Sequence, residues 1–196
     1  MNRRMSGAGY FKLKRVFFYF GIVLLLTTPD LRLSYSGELE NRLYDAAYAG
    51  DLKQIKELIA KGASVTSPNA MGGIALHAAA VTGHIEILNA LLDAGADPHS
   101  LDVSGANSLN LGAGYLEVVK VMLQRGADIN NQSVIQGKKV LTALMAAASD
   151  GNLEVTKFLL SKGADPKIKT WSGKTALDLA IKKNHTLVVE ELKRYK

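Results

Sequence analysis

Cysteine is absent from this chain of 196 residues, and its absence excludes several classes of protein. Without cysteine the chain has no disulfide scaffold, no thiol nucleophile and no thiolate ligand for zinc or an iron–sulfur cluster. The HExxH pattern of metalloproteases, the glycine-rich phosphate loop and the GxSxG motif of serine hydrolases are also absent. The sequence therefore predicts a protein that is not an enzyme and that uses no cofactor and no metal ion.

Acidic residues are missing from the first 29 residues, whereas five of the 24 basic residues of the chain lie there. These five are Arg3, Arg4, Lys12, Lys14 and Arg15. From residue 30 onward, 19 basic residues stand against 18 acidic ones, so the net charge of +6 belongs mainly to the N-terminal segment. A nearly neutral remainder lacks the basic surface that nucleic-acid binding requires. We therefore expect no nucleic-acid partner.

Long hydrophobic runs are scarce, and the run Val16–Leu26 behind the basic residues has only eleven members. This layout is typical of a secretory signal, whose apolar region has about 7–15 residues, and it is short for a transmembrane helix of about 20 residues. Residues 1–29 are predicted to be a signal peptide, with an uncleaved N-terminal membrane anchor or a buried core segment as alternatives. We expect export to the periplasm or to the periplasmic face of the inner membrane. Contact with the membrane is expected only through this segment, if it is not cleaved.

Beyond a linker at residues 30–37, the sequence repeats a glycine motif. A first glycine is followed after twelve residues by a second glycine and an alanine, in the pairs Gly50 and Gly62, Gly83 and Gly95, Gly114 and Gly126, Gly151 and Gly163. Between the glycines, apolar residues recur at offsets 2, 5, 8 and 9 with few exceptions, which places them on one face of an α-helix. The second glycine suits a left-handed helix end. Each block is therefore predicted to be one amphipathic helix.

A shorter, alanine-rich helix is predicted before most blocks, as in Leu76–Ala80 and Leu144–Ala148. With its helix pairs and turn-rich connections, residues 38–196 resemble the ankyrin repeat family, whose unit is a β-turn finger and two antiparallel helices. The resemblance implies an all-α repeat solenoid of about five units. Their approximate bounds are residues 38–66, 67–99, 100–130, 131–167 and 168–196. It also implies protein binding through a concave surface of fingers and front helices, and structural positions for His77 and His84.

Several local features follow from departures within the repeats. The third unit is two residues short and rich in glycine, so its front helix is predicted to be short, whereas the fourth has a longer finger. The aspartates after Gly-Ala (Asp97, Asp128 and Asp165) are predicted to form turns. The leucines expected between the helices of adjacent repeats are Leu91, Leu92, Leu123 and Leu159, and Lys61 is expected on the surface. Polar outer faces are predicted at both ends, with Gln54 in the first unit and Thr186, Glu191 and Lys193 in the last.

The unusual residues lie in the last two fingers. The candidate partner-binding residues are Val134, Ile135, Lys138, Lys139, Lys169 and Trp171. We expect an apolar patch with a basic rim, as in protein interfaces, although Trp171 could instead pack on the neighbouring finger. Residues 30–132 have a net charge of −5 and residues 133–196 a net charge of +6. This polarity would steer a partner of opposite charge, or it reflects scattered solvated lysines.

The sequence predicts a noncatalytic protein–protein interaction module, and the identity of its partner does not follow from the repeats. Two alternatives remain open at this point. One is an inhibitor or self-protection protein that occludes an enzyme of the cell envelope. The other is a small enzyme or ligand-binding protein within the repeat array.

Overall fold

The computed structural model describes residues 37–195. The predicted signal peptide or anchor and the linker up to residue 36 lie outside the described residues. Within the described range the regular structure is ten helices and one two-stranded hairpin. The first helix of each pair, called a front helix here, is α1 (Glu38–Ala49), α3 (Ala75–Thr82), α5 (Ser108–Leu111), α7 (Ala143–Asp150) or α9 (Ala176–Lys182). The second, called a back helix, is α2 (Leu52–Ala60), α4 (Ile85–Asp93), α6 (Leu116–Gln124), α8 (Leu153–Ser161) or α10 (Thr186–Lys193).

The helix pairs stack in sequence order. Each front helix packs on its own back helix and on the next front helix, and back helices likewise pack on one another. Small alanine side chains let the front helices approach closely, and Ala79 and Ala147 are completely buried. The apolar stripes of the back helices meet them in one continuous core. The predicted all-α repeat solenoid is confirmed.

Left-handed residues end the helices where the glycine motif predicted them. The second glycine of each block has positive φ, for example 90° at Gly62 and 88° at Gly163. Front helices α1, α3 and α7 also end at a glycine of positive φ, and Asn184 takes this conformation, with φ 60°, after α9. Asparagine is among the few residues that tolerate this conformation at low cost. The fixed spacing of twelve residues thus corresponds to one back helix with its two boundary turns.

The predicted burial of the back-helix leucines is confirmed for three of the four. Leu91, Leu92 and Leu159 are buried, and Lys61 is exposed. The prediction is wrong for Leu123, which is only half-buried. Offset 9 lies about 100° around the helix from offset 8, at the edge of the apolar face. A residue there retains solvent contact where its neighbours cover it less completely.

One prediction about the ends of the stack is also wrong. Thr186 and Lys193 are exposed as expected, but Glu191 is buried at 7% exposure. Glu191 follows Val188 by one helical turn and therefore shares the buried face of α10. Its carboxylate accepts a hydrogen bond of 2.9 Å from Arg194 Nη1, so its charge is paired at the edge of the core.

The third repeat has the predicted short front helix, since α5 contains only four residues. Polar side chains compensate for the missing turns. The side chain of Asn107 accepts a hydrogen bond of 2.8 Å from the backbone N–H of Asn110 and caps the helix. Asn110 Nδ2 donates to the carbonyl oxygen of Leu141 at 2.6 Å and to Ser133 Oγ at 3.1 Å. These bonds join the shortened helix to the next connection and replace apolar packing that a longer helix would provide.

Candidate functional site

The connections from each back helix to the next front helix, called fingers here, are residues 63–74, 96–107, 127–142 and 164–175. The third finger contains β1 (Val134–Ile135) and β2 (Lys138–Lys139), which pair antiparallel. The turn between them is Gln136-Gly137, with φ 51° and 72°. Positive φ at both turn residues matches the twist of paired strands, which explains the tight hairpin. The sequence predicted a longer finger but not this hairpin, for which the two-residue turn ending in Gly137 was the available signal.

Backbone hydrogen bonds join neighbouring fingers side by side. Val103 N donates to Gly72 O at 3.4 Å, and Val134 N donates to Gly105 O at 2.8 Å. Trp171 N donates to Lys139 O at 2.9 Å. A side chain at Gly105 would collide with the Val134 carbonyl, so this close approach depends on glycine. The tips of the fingers therefore form one connected edge.

The base of the second, third and fourth fingers is shaped by an aspartate, as predicted. The Asp97 carboxylate accepts the N–H of His99 at 2.8 Å, and the Asp165 carboxylate accepts the N–H of Lys167 at 2.8 Å. Asp128 makes the equivalent bond of 2.9 Å to the N–H of Asn130. These three carboxylates therefore have the same turn-forming contact in successive repeats.

Trp171 stands at the tip of the last finger with 63% of its surface exposed. Its backbone is fixed by the bond to Lys139, whereas its ring is open to solvent. The ammonium nitrogen of Lys138 lies 4.4 Å from the centroid of the ring, which is a cation–π contact. The ring is therefore held in place from one side by a cation while most of its area remains available for contact.

The structure brings the predicted candidate residues together on two adjacent fingers. Ile135 pairs with Lys138 across the hairpin, and Val134 pairs with Lys139. Lys169 lies two residues before Trp171, and its carbonyl accepts a hydrogen bond of 3.0 Å from Gln132 Nε2 on the neighbouring finger. Val134 is half-buried, while the other five are exposed. Whether they bind a partner stays a prediction.

Two exposed apolar residues extend the same edge and were missed from the sequence. Val103 is 72% exposed on the second finger, and Met71 is 58% exposed on the first. Val103 lies at the position equivalent to Trp171, because each donates its backbone N–H to the preceding finger. The repeat register places Val103 and Trp171 at equivalent finger tips, and this was the available signal for Val103.

The resemblance implied structural positions for His77 and His84, and each side chain contacts a neighbouring repeat. His77 Nε2 donates to the carbonyl oxygen of Ala106 at 3.1 Å, and burial lowers the pKa of His77 although the Asp102 carboxylate acts in the opposite direction. His84 packs against Gly50. His185 Nε2 donates to Ser149 O at 3.0 Å. Among residues 37–195, no three histidine, aspartate or glutamate side chains lie close enough to hold a metal ion.

A groove of about 400 Å³ adjoins the last finger. Leu177, Leu192 and Tyr195 supply its apolar wall, and Lys167 and Lys169 lie at its rim. Thr175 begins α9 with a capping box in which its hydroxyl and N–H pair with Asp178. Hydrogen bonds from Thr175 lower the pKa of Asp178, and Lys174 and Lys169 add to this effect. Asp178 therefore stays ionised within the field of the finger lysines.

The comparisons with known proteins agree with this architecture. The family model for ankyrin repeats matches residues 43–133 and 133–196. The chain belongs to the ankyrin repeat family, whose repeats are a protein–protein interaction module.

No helix within the described part of the chain combines the length and apolar character needed to span a membrane.

Similar repeats occur in curated proteins that have different names. An ankyrin repeat-containing protein of Treponema pallidum is 37% identical over 114 residues, which cover 57% of this chain and 37% of that protein. The rat ankyrin repeat and SAM domain-containing protein 6 is 35% identical over 50% of this chain and 11% of its own length. The tyrosine-protein kinase Shark of Drosophila melanogaster is 30% identical over 90% of this chain and 19% of its own length. The chain thus spans well under half of each of these relatives.

Proposed function

We propose that this protein is a noncatalytic binding module that recognises another protein through the tips of its last two fingers. The single observation that carries this proposal is the exposure of Trp171 on a backbone fixed by the neighbouring finger. Tryptophan is enriched among the residues that dominate interface energies. A fixed backbone also lowers the entropic cost of ordering the surface on binding.

The composition of the surrounding surface supports the same assignment. Ile135 adds apolar area on the hairpin, Lys138 and Lys139 lie on the paired strand, and Lys169 lies on the neighbouring finger. Protein interfaces combine an aromatic or aliphatic centre with a polar rim of this kind. The back helices present their apolar stripes to the core, so they offer less apolar area to a partner.

Site-specific photo-crosslinking in the cells that make the protein tests this assignment. A benzophenone amino acid placed at Ile135 is expected to give discrete protein adducts, because this position lies within the proposed surface and is exposed. The same probe at Lys157, an exposed position on back helix α8 of the same repeat, is the matched control. Adducts are identified by mass spectrometry.

The two positions give opposite expectations. Adducts at position 135 and few or none at position 157 support binding through the fingers. Adducts found only at position 157, or at neither position, contradict it.

We propose further that this binding takes place outside the cytoplasm, in the periplasm or at the periplasmic face of the inner membrane. The supporting observation is the basic N-terminal segment followed by the apolar run Val16–Leu26. Alkaline phosphatase fused to the C-terminus is expected to be active, and removal of residues 1–30 is expected to abolish this activity while leaving a folded protein. A full-length fusion that remains in the cytosol with an intact N-terminus contradicts export.

A further inference from the structure

The finger lysines are confined to one end of the stack. The first finger carries no charged side chain, and the second carries the acidic residues Asp97 and Asp102 but no lysine or arginine. Lys138 and Lys139 lie on the third finger, and the fourth finger carries Lys167, Lys169 and Lys174. The basic character of the edge therefore begins where the hairpin begins.

These five lysines are not neutralised by ion pairs within the described residues. The four ion pairs of residues 37–195 join Lys53 to Glu57, Lys120 to Glu117, Arg125 to Asp93 and Arg194 to Glu191. Lys138 lies over the Trp171 ring, and Asp178 is the carboxylate that Lys169 and Lys174 influence. Three carboxylates lie on or beside these two fingers (Asp128, Asp165 and Asp178), so five lysines leave the surface with a net positive charge.

Backbone hydrogen bonds place Lys139 and Lys174 next to the finger tip that carries Trp171. Lys139 O accepts the N–H of Trp171 at 2.9 Å, and Lys174 O accepts the N–H of Thr170 at 2.9 Å. Lys138, the residue before Lys139, places its ammonium nitrogen 4.4 Å from the centroid of the Trp171 ring. An apolar group that contacts the Trp171 ring would bring its flanking charges close to the ammonium group of Lys138, and the other four lysines lie on the same two fingers.

We propose that the partner presents an acidic protein segment in which an apolar side chain lies between carboxylates. The apolar side chain packs on Trp171 and Ile135, and the carboxylates pair with lysines of the last two fingers. This rests on the proposed function and specifies the chemistry of the partner. Complementary charge of this kind raises the association rate and disfavours partners of the wrong sign.

The charge of the remaining stack favours a short segment over an extended polyanion. Residues 37–132 contain 6 basic and 11 acidic residues, for a net charge of −5. Residues 133–195 contain 11 basic and 6 acidic residues, for a net charge of +5. A nucleic acid or a flat anionic membrane laid along the fingers would find no lysine or arginine on the first two fingers and would meet Asp97 and Asp102 on the second. A short acidic segment bound at the last two fingers does not extend to these acidic residues.

Binding of synthetic peptides to the full-length chain tests the proposal. The probe is a short fluorescent peptide with glutamates on both sides of one leucine, and its counterpart has glutamine in place of glutamate. We expect the glutamate peptide to bind about tenfold more tightly or better by fluorescence anisotropy. This advantage is expected to shrink when salt is raised from about 50 mM to about 300 mM, because screening weakens exposed charges.

Charge reversal at matched positions identifies the surface. Lys138→Glu with Lys169→Glu is expected to weaken binding of the glutamate peptide about tenfold or more. Lys157→Glu with Lys193→Glu changes the net charge equally on exposed back-helix positions and is expected to have little effect. Circular dichroism of both double variants checks that the fold is retained, and a finger variant that unfolds is replaced by Lys138→Gln with Lys169→Gln.

Three results overturn the inference. They are equal binding of the two peptides, equal effects of the two double variants, and equally tight binding of phosphatidylserine–phosphatidylcholine vesicles or polyuridylate to the same lysines. A different measurement, the crosslinking at position 135, tests the proposed function. If crosslinking at position 135 recovers a partner without an acidic segment, only the acidic chemistry is wrong, whereas absence of any finger adduct removes both proposals.

Discussion

Truncation of Leu91 to alanine is expected to lower the free energy of unfolding by about 2–5 kcal/mol. Leu91 is completely buried in α4, where it packs within the core shared by adjacent repeats. The loss combines the transfer free energy of the removed methyl groups with the cost of the cavity that remains. Denaturant titration followed by circular dichroism measures this change.

Two further variants are compared with Leu91→Ala to show that the loss of stability depends on burial. Lys61→Ala removes an exposed side chain after α2 and is expected to change stability by no more than about 0.5 kcal/mol. Leu123→Ala is expected to cost less than Leu91→Ala, because Leu123 is half-buried at the edge of its helix face. If Leu91→Ala and Lys61→Ala had the same stability, the assignment of the buried helix face would be wrong.

The helical stack could be predicted from the sequence because its causes are local and repeated. The glycine spacing marks the ends of the back helices, and the apolar offsets place residues such as Leu88 and Val119 in the core. Four copies of the same pattern reinforce one another, so a single irregular position such as Thr156 does not obscure the phase. Thr156 is buried, and its hydroxyl donates to the carbonyl oxygen of Asn152 at 2.7 Å.

Features that depend on contacts between repeats could not be predicted in the same way. Burial of Glu191 depends on the packing of α10 against the preceding repeat and on its pairing with Arg194. The position of Leu123 at the edge of the stripe left its exposure to be decided by neighbouring side chains. The error at Leu123 concerns a residue at the margin of a helix face, where tertiary contacts rather than periodicity determine solvent access.

The candidate surface was predicted in its residues but not in its geometry. The extra length of the third finger identified Val134, Ile135, Lys138 and Lys139 as unusual. The sequence did not decide whether the Trp171 ring was packed or exposed, because this depends on the backbone bond to Lys139. It also did not show that the fingers share one hydrogen-bonded edge, since those bonds join residues of different repeats that are far apart in the sequence.

Replacement of Trp171 by alanine is expected to weaken binding of the crosslinked partner by about 2 kcal/mol or more, which is about thirtyfold in Kd. The effect on folding is expected to be small, because the ring is 63% exposed and its backbone bond to Lys139 does not need the side chain. The lost cation–π contact with Lys138 contributes about 0.5–1 kcal/mol at an exposed site.

Leu187→Ala is the matched control, because Leu187 is also 63% exposed in the last repeat but lies on back helix α10. The most direct measurement of the central claim is the affinity of the partner for wild type and both variants by isothermal titration calorimetry, with their melting temperatures measured in parallel. We predict that Trp171→Ala loses affinity while its melting temperature stays near that of Leu187→Ala. A Trp171→Ala protein with a lowered melting temperature and unchanged affinity would contradict binding through the finger tips.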